Sequence, residues 1–239
     1  MRNILLFSLL VLSLNATEYF TTIQPYEKHI ISSEVDGKVV FLDKTKEHSF
    51  LTKNTTILKL DTKDELIQVN SLKNSINLQK DIVAIKEKNY NNKVKVKQLS
   101  IYNKNQEKLY FLEAEQALEN LQKELKQKQH LIDKKLFTLT NIYLDKILIS
   151  NYEYITTGTK LFILYDFSKL KLEVFIKNKE IQTIKDKDIF INGKKSEFKV
   201  EKISQVRDEK RVSTYRVILS KLNHDKNIHF GEIVKVEFR

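Results

Sequence analysis

Apolar positions change period twice along the chain. From Ile30 to Asp61 short runs, His29-Ile30-Ile31, Lys38-Val39-Val40-Phe41-Leu42 and Thr56-Ile57-Leu58-Lys59-Leu60, are separated by the turn residues Asp36-Gly37 and Lys53-Asn54. This predicts about thirty residues of small β structure. At Asp61-Thr62 the pattern breaks, and Thr62 with Glu65 three residues on has the spacing of a capping box that opens a helix. Val69, Ile76, Val83 and Tyr90 then recur every seven residues. Phe111, Leu118, Leu125 and Ile132 do the same, with Ala114 and Leu121 at the intervening position, so two coiled-coil seams are expected. The polar stretch Ser100-Ile101-Tyr102-Asn103-Lys104-Asn105 predicts the turn between them. Two helices of about thirty to thirty-eight residues make an antiparallel hairpin roughly 45 to 55 Å long.

After Lys135 the strand pattern returns. Ile142 to Ile149 and Lys160-Leu161-Phe162-Ile163-Leu164 flank Thr156-Thr157-Gly158-Thr159, where Gly158 supplies a positive φ. Phe50 to Leu60 and Tyr154 to Leu164 read as two versions of one hairpin, with Asn54 standing where Gly158 stands and expected in the left-handed region. A β unit is therefore split, with the helices inserted in its middle. From Lys169 five short strands follow, Leu170 to Ile176, Asp188 to Asn192, Phe198 to Ile203, Thr214 to Ser220 and Ile233 to Phe238, with a helical turn at Lys179 to Ile184. Their turn-marked spacing suggests a small β-barrel and gives an α+β fold class.

Composition removes most chemistries. The chain of 239 residues has no cysteine, which excludes disulfides, thiolate metal sites and cysteine nucleophiles, and its four glycines are too scattered for a phosphate-binding loop. Between Lys38 and Thr157 there is neither Gly nor Pro. The net charge of +11 rests on 42 basic residues of which only five are arginines. Lysine lacks the planar fork that matches phosphates and guanines, so the excess speaks against nucleic acid. Attraction to an anionic membrane surface or to an acidic protein partner fits it equally well. Arg2, the apolar run Ile4 to Leu14 and the small residue Ala16 form an export signal over residues 1–16, too short to span a bilayer comfortably.

Split β unit, inserted helical hairpin and then barrel is the order found in the periplasmic adaptor, or membrane fusion, protein family, which this chain resembles from about Ile30 to Arg239. The likeness is carried by Val35-Asp36-Gly37-Lys38-Val39, Phe50 to Asp61, Ile155-Thr156-Thr157-Gly158-Thr159-Lys160-Leu161 with Tyr165-Asp166, Leu170 to Val174 through Lys179-Glu180-Ile181, and Phe230 to Val236. The resemblance implies a lipoyl-like barrel-sandwich hybrid (30–61 plus 136–168), an α-helical coiled-coil hairpin (62–135) and a β-barrel (169–239). At the hairpin tip, family members that dock on outer-membrane channels often show Arg, three residues, Leu, six residues, Ser; the matching positions here are Lys95, Leu99 and Gln106. Lysine keeps the charge without the fork, and glutamine keeps hydrogen bonding with greater reach. Where the family commonly has Ala-Pro and then glycine, this chain has Thr140-Asn141-Ile142-Tyr143.

The resemblance further implies a non-enzymatic protein without cofactor or metal, located in the periplasm and associated with the inner membrane. Its partners would be an inner-membrane transporter of the resistance-nodulation-division class and an outer-membrane channel, with several copies in the assembly. An adaptor of an ATP-driven exporter, or a periplasmic coiled-coil scaffold without a transporter, is the alternative. Two features are decoys. Glu34-Val35-Asp36-Gly37-Lys38 has the look of a lipoyl-carrier lysine, but its inserted glycine and the interrupted β unit point to a solvent-facing Lys38. His224 and His229 lie five residues apart, on opposite faces of a strand, with no thiolate beside them.

Overall fold

The computed structural model describes residues 17–211, 213–224 and 230–239. The expected export signal and His229 lie outside the described residues. The first half runs β1 (Glu18–Thr22), β2 (Gln24–Ser32), β3 (Gly37–Leu42), β4 (Ser49–Leu51), β5 (Thr55–Leu60), α1 (Lys63–Lys95) and α2 (Ile101–Lys134). There follow β6 (Leu136–Leu139), β7 (Ile142–Ile147), β8 (Tyr154–Ile155), β9 (Lys160–Lys177) and the short α3 (Asn178–Ile181). The chain continues with β10 (Ile189–Ile191), β11 (Lys194–Lys195), β12 (Lys199–Arg207), β13 (Thr214–Leu222) and β14 (Ile233–Phe238). The fold is mixed helix and sheet and divides into two compact units, one of residues 30–163, the other of the residues before Ile30 with Leu164–Arg239.

In the unit of residues 30–163 the strand order β6-β5-β3-β8 is antiparallel throughout. In β3 Val39 points inward beside exposed Lys38, and a bulge between Val39 and Phe41 shifts the alternation so that Leu42 also faces in. The core gathers Val39, Ile57, Leu58, Leu144, Leu161 and Phe162, each fully out of water, with Phe137 edge-on to Phe162 at 6.2 Å. The helices interrupt the connection between two paired strands: Lys59 stands opposite Leu136, and Leu60 N–H donates to the Lys135 carbonyl at 3.0 Å. The chain therefore leaves and re-enters this sheet at one place.

Four expectations are corrected. Phe50 to Leu60 and Tyr154 to Leu164 are corners, not hairpins: β4 pairs with β7, β5 with β3 and β6, and β8 with β3. The two corners are not alike: Gly158 takes φ +89° inside a turn closed by Thr159 N–H donating to the Thr156 carbonyl at 3.0 Å, whereas Asn54 is not among the described residues with positive φ. Thr62 stands at the N-cap of α1, but its side chain makes no capping bond; Asp61 Oδ1 accepts from Lys63 N–H at 3.1 Å, and Glu65 turns away to Lys135. The helix–helix turn lies at Val96–Ser100 instead of Ser100–Asn105, because the Ser100 hydroxyl caps α2 by accepting from Asn103 N–H.

The other unit holds the antiparallel order β1-β14-β10-β11, and a second sheet in which β13 lies between β12 and the C-terminal part of β9, with Val217 opposite Val174. Leu172, Val174, Ile176, Val217, Leu219 and Val236 form the centre of its core, and Tyr19 and Ile23 pack against it. Asn192 and Gly193, both at positive φ, make the two-residue turn between β10 and β11. The strand β1 was absent from the sequence-based expectation.

Candidate partner-docking site at the hairpin tip

The helices α1 and α2 run antiparallel, as the order of their contacts shows. Glu65 meets Lys135, Gln79 meets Ala114, Tyr90 meets Phe111 and Lys93 meets Glu107. The seam uses the expected positions: Val69, Ile76 and Ala114 are buried, and Val83, Tyr90, Phe111, Leu118, Leu121, Leu125 and Ile132 are half-buried. Tyr90 and Phe111 stack with centroids 6.3 Å apart.

The second heptad series of α1 is Leu72, Gln79, Lys86 and Lys93, and it grows more polar toward the tip. Each polar member is satisfied across or along the hairpin. Gln79 Nε2 donates to the Ala114 carbonyl at 2.9 Å, Lys86 Nζ lies over the Tyr110 ring at 5.0 Å, and Lys93 pairs with Glu107. Counting only apolar recurrences missed this series; the unbroken seven-residue spacing from Leu72 is the signal that finds it.

At the root, Lys135 Nζ donates to Glu65 Oε1 at 2.5 Å and to the Asp61 carbonyl at 2.9 Å. Around this pair a cleft of about 610 Å³ is lined by Glu34, Asp36, Lys38, Asp64, Leu131 and Tyr154, among others. The Lys134 ammonium, hydrogen-bonded to Glu34 at 2.7 Å, holds that carboxyl below its usual range. Asp36 is held low by hydrogen bonds from the Thr157 backbone N–H and hydroxyl. Two root carboxylates, Glu34 and Glu65, thus face lysines, and no group of three ligands that could hold a metal occurs among the described residues.

The tip is different. Lys95, the last residue of α1, is exposed; Leu99, in the turn, is half-buried and donates its N–H to the Val96 carbonyl at 3.4 Å; Gln106 is half-buried near the start of α2. The fold therefore gathers all three at one end of the hairpin. Beside them Ile101 and Tyr102 are 78% and 74% exposed, and Val94 and Val96 nearly half exposed. An exposed apolar group ringed by charge is the ordinary anatomy of an interaction surface. No described helix is long and apolar enough to cross a membrane.

The sequence matches no family model and no curated protein. Solved structures do match. The membrane fusion protein Spr0693 from Streptococcus pneumoniae R6 aligns over 93% of this chain and 98% of its own, with a TM-score of 0.69 at 8% identity. MacA from Actinobacillus actinomycetemcomitans aligns over 94% of this chain and 78% of its own, with a TM-score of 0.62 at 14% identity. The chain has the membrane fusion protein fold. A MacA–MexA chimeric protein containing the Pseudomonas aeruginosa MexA alpha-hairpin domain shares this fold, with a TM-score of 0.65 over 93% of this chain and 80% of its own at 13% identity. In the present membrane fusion protein fold the hairpin is flanked along the chain by β5 and β6, which pair with each other.

Proposed function

We propose that this chain is a periplasmic adaptor of a tripartite export system, without catalytic activity, cofactor or metal. It bridges an inner-membrane transporter of the resistance-nodulation-division class and an outer-membrane channel. In this reading residues 30–61 with 136–168 are the lipoyl-like barrel-sandwich hybrid, 62–135 the coiled-coil hairpin and 169–239 the β-barrel. The tip residues Lys95, Leu99 and Gln106 dock on the channel. Several copies pack side to side through heterologous contacts, which close into a ring.

The observation that carries the reading is the hairpin itself. Two helices of 33 and 34 residues leave a small sheet through adjacent strands, have little interior of their own, and end in exposed apolar and basic residues. Such a rod has a use when its far end meets something else. Cross-linking in intact cell envelopes, followed by mass spectrometry of the purified chain, is expected to recover an inner-membrane transporter together with an outer-membrane channel. Recovery of soluble clients alone would overturn the adaptor reading in favour of a scaffold, and an ATP-driven transporter would overturn the transporter class.

A further inference from the structure

The charge of residues 30–163 is unevenly placed. They carry 22 lysines and 17 carboxylates. Seven of those lysines, but only the carboxylates Glu87 and Glu107, fall between residues 86 and 108, and the fifteen of each that remain balance. The whole excess of this unit therefore sits on the distal part of the hairpin, and Glu107 is already engaged by Lys93. No arginine occurs in this stretch.

The lysines form a sleeve, not a cap. Lys86 lies about 14 Å behind Lys95 along α1, and Lys108 about 12 Å behind Ser100 along α2. Lys88 and Lys95 are displaced by two residues from Lys86 and Lys93, which turns them roughly 200° around the helix. A flat anionic bilayer meets only the end of such a rod. At a screening length of about 8 Å, charges set further back contribute little to that contact. A concave surface engages the sleeve along its length, and its floor receives the exposed Ile101 and Tyr102.

From this shape we infer that the tip enters an acidic socket on a partner protein, with carboxylates lining the wall and an apolar floor. The inference rests on the tip being a docking site and adds the chemistry of what receives it. Lysine point charges without arginine forks make the contact an electrostatically steered one, sensitive to salt.

The absence of cysteine and tryptophan makes the test clean. Tyr102→Cys supplies a single thiol for a benzophenone cross-linker, photolysed on the full chain in solubilised envelopes of the source organism. The expected result is an adduct mapping to a peptide rich in Asp and Glu. Its yield falls about tenfold between low salt and about 0.5 M NaCl. The exposed-site variant Lys88→Glu/Lys95→Glu/Lys97→Glu, with unchanged helix content, lowers the yield similarly, and converting the mapped carboxylates to lysine restores it. Should that variant fail to fold, the salt dependence carries the test. An adduct on a peptide without carboxylates, a yield indifferent to salt, an adduct with lipid only, or no adduct would each overturn the inference. An acidic peptide belonging to a protein other than an outer-membrane channel upholds the socket and overturns the bridging function.

Discussion

Lys135 and Glu65 form an ion pair across the root of the hairpin, with side chains only 8% and 16% exposed. A charge pair this far out of water is strongly coupled to the helices that bring it together, and its two halves are not equivalent. Lys135 has two acceptors, Glu65 and the Asp61 carbonyl, and little water to fall back on. Glu65 is nearer the surface. Glu65→Ala therefore strands a buried ammonium and is expected to cost about 3 kcal/mol, a fall in Tm of roughly 6 to 12 °C. Lys135→Met keeps the volume and leaves a carboxylate that water can reach, so its cost is expected to be about 1 kcal/mol. Thermal unfolding of the two variants decides; equal losses would show that the asymmetry of the pair has no energetic weight.

Ala114 is the small residue over which Gln79 reaches to the opposite backbone. Its burial sets how closely α1 and α2 approach. Ala114→Leu forces the helices apart or displaces Gln79, with an expected cost of about 1 to 3 kcal/mol. Urea unfolding followed by circular dichroism measures it, and a variant as stable as the parent would mean that the seam is not close-packed here.

Much of this seam was legible in the sequence because a seven-residue apolar repeat encodes directly which side of a helix is buried. Val69, Ile76 and Ala114 follow from it. What escaped has physical reasons. The pairing of Tyr19 with Val236 joins positions at the two ends of the chain, and nothing local in Glu18–Thr22 announces it. Thr62 and Glu65 have capping-box spacing, but the tertiary partner Lys135 outcompetes the local bond. Asn54 resembles Gly158 in sequence context, yet only the Gly158 corner contains a turn closed by a backbone hydrogen bond, Thr159 N–H to the Thr156 carbonyl, and Asn54 is not among the described residues with positive φ. For the tip, the family resemblance singled out Lys95, Leu99 and Gln106, and the structure gathers them at one end of the hairpin, but a single chain's sequence does not encode what such an end would meet.

Gly158 has φ +89°, donates its N–H to the Ser33 carbonyl at 2.8 Å, and has open space where a Cβ would stand. The constraint on it is therefore conformational and not steric contact with neighbours. Gly158→Ala is expected to lose about 1 to 2 kcal/mol and Gly158→Asn distinctly less, because Asn tolerates the left-handed region. Equal losses in chemical denaturation would contradict a conformational cause.

Leu99 sits half-buried in the turn between Lys95 and Gln106. Leu99→Asp adds a negative charge to a basic, partly apolar end without touching the buried seam. If the tip docks, export measured as substrate retention in cells is expected to fall about tenfold or more while helix content and Tm stay near those of the parent. Unimpaired export by a folded variant would remove the tip from the function.

Glu237 is 3% exposed and lies between two cations, Lys235 at 2.8 Å and Arg239. Hydrogen bonds from Lys235 first and Arg239 second hold its carboxyl below the usual range. A carboxyl whose pKa is lower folded than unfolded contributes stability above the unfolded value of about 4.3, and loses it as pH falls through the folded value. The urea midpoint is therefore expected to fall as pH drops from 5 toward 3. Glu237→Gln should be less stable than the parent at pH 7 and show a shallower acid slope, since the remaining slope belongs to carboxyls such as Glu34 and Asp36 that are also held low. Lys235 also pairs with Glu18 at 2.9 Å, so the variant leaves one cation with a partner and Arg239 stacked 4.5 Å from the Phe190 ring. Parallel pH profiles of parent and variant would mean that Glu237 titrates alike in both states and that its two cations contribute nothing to acid sensitivity.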